Sequence, residues 1–298
     1  MQHTLSSTVV ELFDAVNDEF VERLGQNYNP NKVQLHLQPE DLVRIANTML
    51  DAKTMSQQLK FTMIDFLDEN LNNFSYEVIA ELAVVFALKM DETNKNLFFK
   101  MSRQKFLKEL KYLKEETLYK IVWSLLKAEQ LKITEDSPEW MVVRDCIISR
   151  SKELSSKVLT DLLLLSTKGA NKHFSGKEDM KLDLFQALET DLILKMKNMA
   201  LDDLINLMWT ALEMQRGSGV FFNELEKEMA KRVRSIKDEQ FETLIACFSG
   251  DKADQSTDVF SKKFLELILQ VIKDKKDRFS LANLVQVIWA CSRIDFTN

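Results

Sequence analysis

Three tryptophans sit in near-copies of one short stretch, and their spacing constrains the fold more than any other feature of the chain. The stretches are Leu118-Tyr119-Lys120-Ile121-Val122-Trp123-Ser124-Leu125, Leu204-Ile205-Asn206-Leu207-Met208-Trp209-Thr210-Ala211 and Leu284-Val285-Gln286-Val287-Ile288-Trp289-Ala290-Cys291. The tryptophans lie 86 and 80 residues apart, two periods of roughly 40 each. A fixed period in this range marks stacked helical units, each packed only on its neighbours. Aligned on Trp123, the equivalent positions are Asn47, Val84, Leu164, Trp209, Ala246 and Trp289. Their intervals vary while the apolar pattern around them does not, which places the insertions in loops.

The stretches between these positions read as paired helices. Ser7 to Leu24 has apolar residues at Val10, Phe13, Val16, Phe20 and Leu24, which is helical spacing, and Gly25 to Pro30 ends it. Pro39-Glu40-Asp41 opens a helix, because proline fits a first turn and acids there face the positive end of the dipole. Polar breaks at Asp91–Asn94, Thr134–Pro138, Gly169–Gly176, Gly217–Gly219 and Gly250–Ser256 separate each first helix from a second amphipathic one. The second helices are expected over 95–113, 138–153, 178–198, 220–236 and 258–273. Short connections between pairs force antiparallel neighbours. Six glycines and three prolines in 298 residues are too few for an all-β chain.

The expected fold is therefore all-α, an α-solenoid of about six to seven antiparallel helical-hairpin repeats with a period near 40 residues. Residues 1–30 form an N-terminal capping helix and residues 31–298 the helical-repeat solenoid. The helix carrying Trp289 has no second helix after it, so the solenoid ends on a half repeat. Solenoid ends need polar caps, so a partner is expected to cover that end. Trp123, Trp209 and Trp289 lie off the centre of their apolar stripes. A helix apolar on more than one side is packed on more than one side, so these indoles are expected to fill the seams between repeats.

No catalytic constellation accompanies the repeats. His3, His36 and His173 stand alone, whereas zinc requires three or four ligands. Gly217-Ser218-Gly219 lacks the strand and the Lys-Ser/Thr pair of a phosphate loop. Acid pairs such as Glu115-Glu116 and Asp202-Asp203 suit the first turns of helices. The chain is expected to be no enzyme and to need no cofactor or metal. Cys146, Cys247 and Cys291 are odd in number, far apart and in apolar settings, which suits reduced thiols. No apolar run approaches the roughly 18 residues of a membrane span, so no membrane insertion is expected. Residues 1–11 show neither a secretory signal nor a transit peptide.

Charge is the one functional signal. The net charge is −6 and the pI about 5.4, which argues against a protein-wide positive field. The bases are nevertheless segregated. Residues 95–114 carry seven of them against Glu109 alone, and the second helices over 220–237 and 261–278 are also net positive. The first helices over 76–92 and 238–251 are acidic. In a solenoid the second helices share one face, so their bases are expected to form a positive strip able to hold phosphates. The expected RNA-phosphate contacts are Lys100, Arg103, Lys108, Lys111, Arg232 and Arg234. A HEAT- or armadillo-like scaffold that binds protein partners in a multisubunit complex is the competing reading, because its period is the same and an acidic pI suits it.

The stretches Val287-Ile288-Trp289-Ala290-Cys291-Ser292-Arg293-Ile294 and Leu207-Met208-Trp209-Thr210-Ala211-Leu212-Glu213-Met214 resemble the repeat helix of the octotricopeptide and heptatricopeptide families and the helical regions of FAST kinase-like proteins. The resemblance covers residues 39–298. It implies an organellar, RNA-binding protein of mitochondrial RNA metabolism or the mitoribosome, with RNA or protein subunits of a larger complex as partners. Without it, a cytoplasmic location is the default. The acidic pI departs from that pattern, and the RAP domain that often follows such repeats is not among these 298 residues.

Overall fold

The structure, a computed structural model, describes residues 7–26, 39–133, 137–170, 184–248, 259–275 and residue 285. Among them every element is helical. The thirteen α-helices are α1 (Ser7–Gln26), α2 (Pro39–Asp51), α3 (Gln57–Asn70), α4 (Tyr76–Lys89), α5 (Glu92–Glu109), α6 (Glu115–Lys127), α7 (Pro138–Ser149), α8 (Ser156–Ala170), α9 (Leu184–Lys195), α10 (Leu201–Met214), α11 (Gly219–Arg232), α12 (Asp238–Cys247) and α13 (Lys262–Asp274). The chain divides into two compact units, Met1–Lys132 and Ile133–Asn298.

The same packing rule holds within each unit. A helix touches its neighbour in sequence and also the helix two places along. In the first unit α4 packs on α2 and α6, while α3 packs on α1 and α5. In the second, α10 packs on α8 and α12, α9 on α7 and α11, and α11 on α13. Within each unit the even-numbered helices thus form one row and the odd-numbered helices another. The helices expected from the tryptophan alignment are the even ones. The α3 helix, which no separate sequence signal marks, fills the odd-row place between α1 and α5.

The even row is the tighter of the two in both units. Small residues explain why. Ala80, Ala83 and Ala87 of α4 are all buried, as are Ser124 of α6 and Thr210 and Ala211 of α10. Short side chains at a contact let helix axes approach. Phenylalanines add contacts between α4 and α5 in the first unit and along the odd row in the second. Phe86, Phe98 and Phe99 meet edge to face with centroids 4.8 and 5.1 Å apart. Phe185, Phe221, Phe222 and Phe260 continue the same geometry across the second unit at 5.0, 5.3 and 5.5 Å. Aromatic pairs prefer this arrangement because the positive ring edge meets the negative face.

Helix boundaries follow local chemistry. Ser56, Ser75, Asp91, Ser137, Ser218 and Ser261 each occupy an N-cap and accept a backbone N–H from the first turn. Pro138 lies in the first turn of α7. The α10 helix has Ala200 at its N-cap, and Asp203 accepts the Ala200 N–H in place of a capping side chain. Odd helices end in a way the periodicity did not foresee. After α3, α5, α9 and α11 the chain tightens into a 3₁₀ turn, at Leu71–Asn73, Leu110–Tyr112, Met196–Asn198 and Val233–Ser235. The first residue of each turn is buried. Two further residues lead into the next even helix.

Candidate nucleic-acid interface

The six basic residues picked out from sequence fall in two places. Lys100, Arg103 and Lys108 lie on α5 and Lys111 in the 3₁₀ turn after it, all in the first unit; Arg232 ends α11 and Arg234 lies in the following turn, in the second. At about 100° per residue, Lys100, Arg103 and Lys108 share an arc of roughly 140° on α5. The opposite side of α5 carries the buried Phe98, Ser102 and Phe106. Lys100, Lys108 and Lys111 are exposed and Arg103 half-buried. Among the described residues Lys100 and Lys108 have no ion pair, and the Lys111 ammonium lies 5.6 Å from the ring centroid of Tyr112. Tyr112 itself is 75% exposed. The outcome is a local basic stripe ending in an open aromatic ring.

The stripe does not continue along the odd row of its unit. The α1 helix bears Glu11, Asp14, Asp18, Glu19 and Glu22 against Arg23, and α3 bears Asp65, Asp68 and Glu69 against Lys60. The continuous positive face expected from the second helices is therefore confined, in the first unit, to α5.

A separate set of bases holds the odd rows together. Near its C-terminal end, an odd helix donates from a lysine or arginine to the backbone carbonyls of the turn that ends the preceding odd helix. Lys105 of α5 donates to Leu71 O. Lys195 of α9 donates to Leu154 O at 2.9 Å and Lys152 O at 3.2 Å. Arg232 of α11 donates to Lys197 O at 2.6 Å and to Met199 O. Lys275, just after α13, donates to Ile236 O. These carbonyls belong to helix ends and lack intrahelical partners, and a cation there also meets the negative end of the dipole. Arg232 additionally bonds Glu228 Oε2 at 2.8 Å. Glu228 is 1% exposed, and Lys231 followed by Arg232 holds its carboxyl below the usual range against the opposing effect of burial. Arg232 is thus bound within the fold, while Arg234 is exposed without an ion pair among the described residues.

The opposite ends of the odd helices are linked as well. Asn17 of α1 accepts the Ser56 N–H at 2.8 Å and donates to Thr54 O at 2.7 Å. Lys60 of α3 pairs with Asp91, the N-cap of α5, at 2.9 Å. Glu189 of α9 accepts the Ser218 N–H at 3.3 Å, and Glu226 of α11 accepts the Ser261 N–H at 2.9 Å. Each N-cap is therefore held by a polar side chain of the preceding odd helix. No sequence signal marks these partners, because they lie 29–39 residues away and use three residue types.

Trp123 and Trp209 lie on even helices, α6 and α10, and each is half-buried. Their immediate neighbours Val122, Ser124, Met208 and Thr210 are buried. Trp289 lies outside the described residues, as do His3, His36, His173 and Cys291. Cys146 and Cys247 are buried free thiols. Among the described residues there is no group of three or more metal-binding side chains, and no helix is long and apolar enough to cross a membrane. A shallow cleft of about 370 Å³ is lined by Lys152, Ser156, Asp191, Leu194, Lys195 and Asn198. Lys195 and Asp191 are already engaged there, the first by the turn carbonyls and the second by the Ser151 hydroxyl.

The described residues define an all-α protein whose helices pack on their near neighbours in the chain. No protein-family model matches the chain, and no curated protein matches it.

Proposed function

We propose that this protein is a non-enzymatic α-solenoid that binds RNA through the outer face of α5. The repeated two-row packing, with a period near 40 residues in the even helices, supports a solenoid of six to seven hairpins. One observation carries the functional reading. Lys100, Lys108 and Lys111 stand exposed, with Arg103 beside them, and Tyr112 is open at the end of the stripe. Exposed basic side chains supply the phosphate contacts that dominate nucleic-acid affinity, and an exposed ring offers a surface on which a base can stack. Arg234 is a further phosphate contact. The resemblance of the tryptophan stretches points to organellar, mitochondrial RNA metabolism or a mitoribosomal subunit as the setting, with other subunits of that complex as neighbours.

The test is titration of fluorescent single-stranded RNA at several salt concentrations. With about four phosphates neutralised, log affinity should fall with log salt at a slope of roughly −3. Lys100→Glu/Lys108→Glu/Lys111→Glu alters exposed side chains and should weaken binding at least tenfold while leaving the helical circular dichroism unchanged. Unchanged affinity in the folded triple variant would exclude the α5 stripe.

The acid on α1 and α3 favours a second reading, a scaffold for protein partners. Recovery of the protein in a complex that survives nuclease, with no RNA crosslink, is the outcome that reading expects.

A further inference from the structure

The outward face of the first unit carries opposite charges on two adjacent helices of one row. Lys60 of α3 meets the start of α5 at Asp91, and Lys105 of α5 meets the end of α3 at Leu71, so the two helices run in parallel. Their N-caps are Ser56 and Asp91. Counted from those caps, Asp65 and Asp68 of α3 stand where Lys100 and Arg103 stand on α5. Equal positions on parallel helices share one level and one direction. Asp65, Asp68, Glu69, Lys100 and Lys108 are all exposed. One turn before the first of these charges, Phe61 and Leu97 are 45% and 42% exposed. The opposite sides of the two helices carry the buried Leu59, Met63 and Leu67 and the buried Phe98, Ser102 and Phe106. The charges of the two helices do not neutralise each other within the chain. Lys105, on the α3 side of α5, donates to Leu71 O and Asn72 Oδ1 instead. Among the described residues Asp65, Asp68, Glu69, Lys100 and Lys108 have no ion pair.

We infer that this face docks a second copy of the chain, in a reversible two-fold dimer that lays α3 of each copy on α5 of the other. Charge complementarity picks the occupant. A two-fold interface uses one patch twice, so every contact from one residue to another recurs in reverse. A patch acidic on one half and basic on the other therefore meets its own complement, whereas a patch of one sign meets its own repulsion. An axis normal to the face and passing between α3 and α5 sets the carboxylates of Asp65, Asp68 and Glu69 against the basic stripe of the second copy, and the bases Lys100 and Lys108 against its acids. Exposed Phe61 and Leu97 add apolar area beside the charges. Like charges brought together across an interface repel, so the face rejects docking that sets α3 on α3. Contacts of small area give weak, reversible association. The inference does not rest on RNA binding. Where RNA does occupy Lys100 and Lys108, it and the second copy exclude each other.

The experiment is sedimentation velocity of the full chain over a range of protein and salt concentrations. The expected result is a monomer–dimer equilibrium that weakens as salt rises. Two charge-reversed variants test the pairing. Asp65→Lys/Asp68→Lys makes both halves of the face basic, and Lys100→Glu/Lys108→Glu makes both halves acidic. Each variant alone should self-associate at least about tenfold more weakly than the parent, with its helical circular dichroism unchanged. Mixed in equal amounts, the two should form a one-to-one dimer, because each then meets the opposite charge at both contacts. That recovery also shows that neither variant is misfolded. A parent chain that stays monomeric at every concentration overturns the inference. So does undiminished self-association of either variant, or a mixture of the two that stays monomeric. The RNA reading fails separately. A chain that dimerises in this pattern without binding RNA sinks only that reading, and one that binds RNA through α5 but never dimerises sinks only this inference.

Discussion

Arg232 and Arg234 are two positions apart in a charged stretch, and sequence gives no ground for separating them. The fold does. Arg232 bonds two carbonyls of the preceding turn and a buried glutamate, whereas Arg234 points outward. Arg232→Gln should therefore destabilise the protein by about 2 kcal/mol, because it removes a charged partner of buried Glu228 and the donor to two turn carbonyls. Arg234→Gln should change stability by less than about 0.5 kcal/mol while lowering RNA affinity. Urea unfolding of the two variants checks the split, and equal losses would show that Arg232 is not a tie. Asp91 offers a second residue-scale test. Burial opposes its ionisation, but hydrogen bonds from Asn94 and Lys60 outweigh it and bring the carboxyl down to about 2. A folded pKa below the unfolded value gives stability that is present above about pH 4 and is lost as pH falls through about 2. The carboxylate side chain is 34% exposed, so solvent screening trims the contribution to about 1 kcal/mol. Asp91→Asn should be less stable than the parent at pH 7 by that amount, and the gap should close between pH 4 and pH 2. A gap that stays constant with pH would remove the charge from the explanation.

At the scale of elements, helix positions were largely legible and helix ends were not. The 3.6-residue spacing of Leu118, Ile121, Val122 and Leu125 specifies α6 without any help from the rest of the chain, and Pro39 and Pro138 mark two starts. The 3₁₀ turns were hidden because Leu71, Leu110, Met196 and Val233 continue the apolar pattern of the helices before them. Their departure from α geometry serves contacts with the next helix. The basic stripe on α5 was readable as composition. That α1 and α3 share its row was not, because row membership is a tertiary fact. The turn between α10 and α11 is legible in retrospect. Gln215 is left-handed at φ 54° and Gly217 sits at φ 121°, where a Cβ would lie 2.8 Å from a Phe222 ring carbon. Phe222 belongs to the aromatic series that joins the odd helices, so it has little room to yield. Gly217→Ala should cost about 2 kcal/mol or more, from backbone strain and overpacking together. A thermal melt checks it. A variant as stable as the parent would show that the turn relaxes freely.

At the scale of the whole molecule, what matters most is that the main helix contacts within each unit are local. Each described helix is packed on helices one or two places away, and each unit has its own buried phenylalanines. Stability in such an array is approximately a sum of local terms and nearest-neighbour contacts, so damage should stay local. Phe86 is fully buried on α4 and meets Phe98 edge to face at 4.8 Å. Phe86→Ala should cost about 3–5 kcal/mol where it acts. In a globular domain with one cooperative core, that loss would speed amide exchange everywhere at once. Here the expected result is faster exchange across α2 to α6, with the amides of α9 to α11 keeping their parent rates. Hydrogen exchange resolved by fragment decides between the two outcomes. A uniform acceleration across both units would mean that the chain folds as a single cooperative body, and the solenoid reading would then lose its energetic basis.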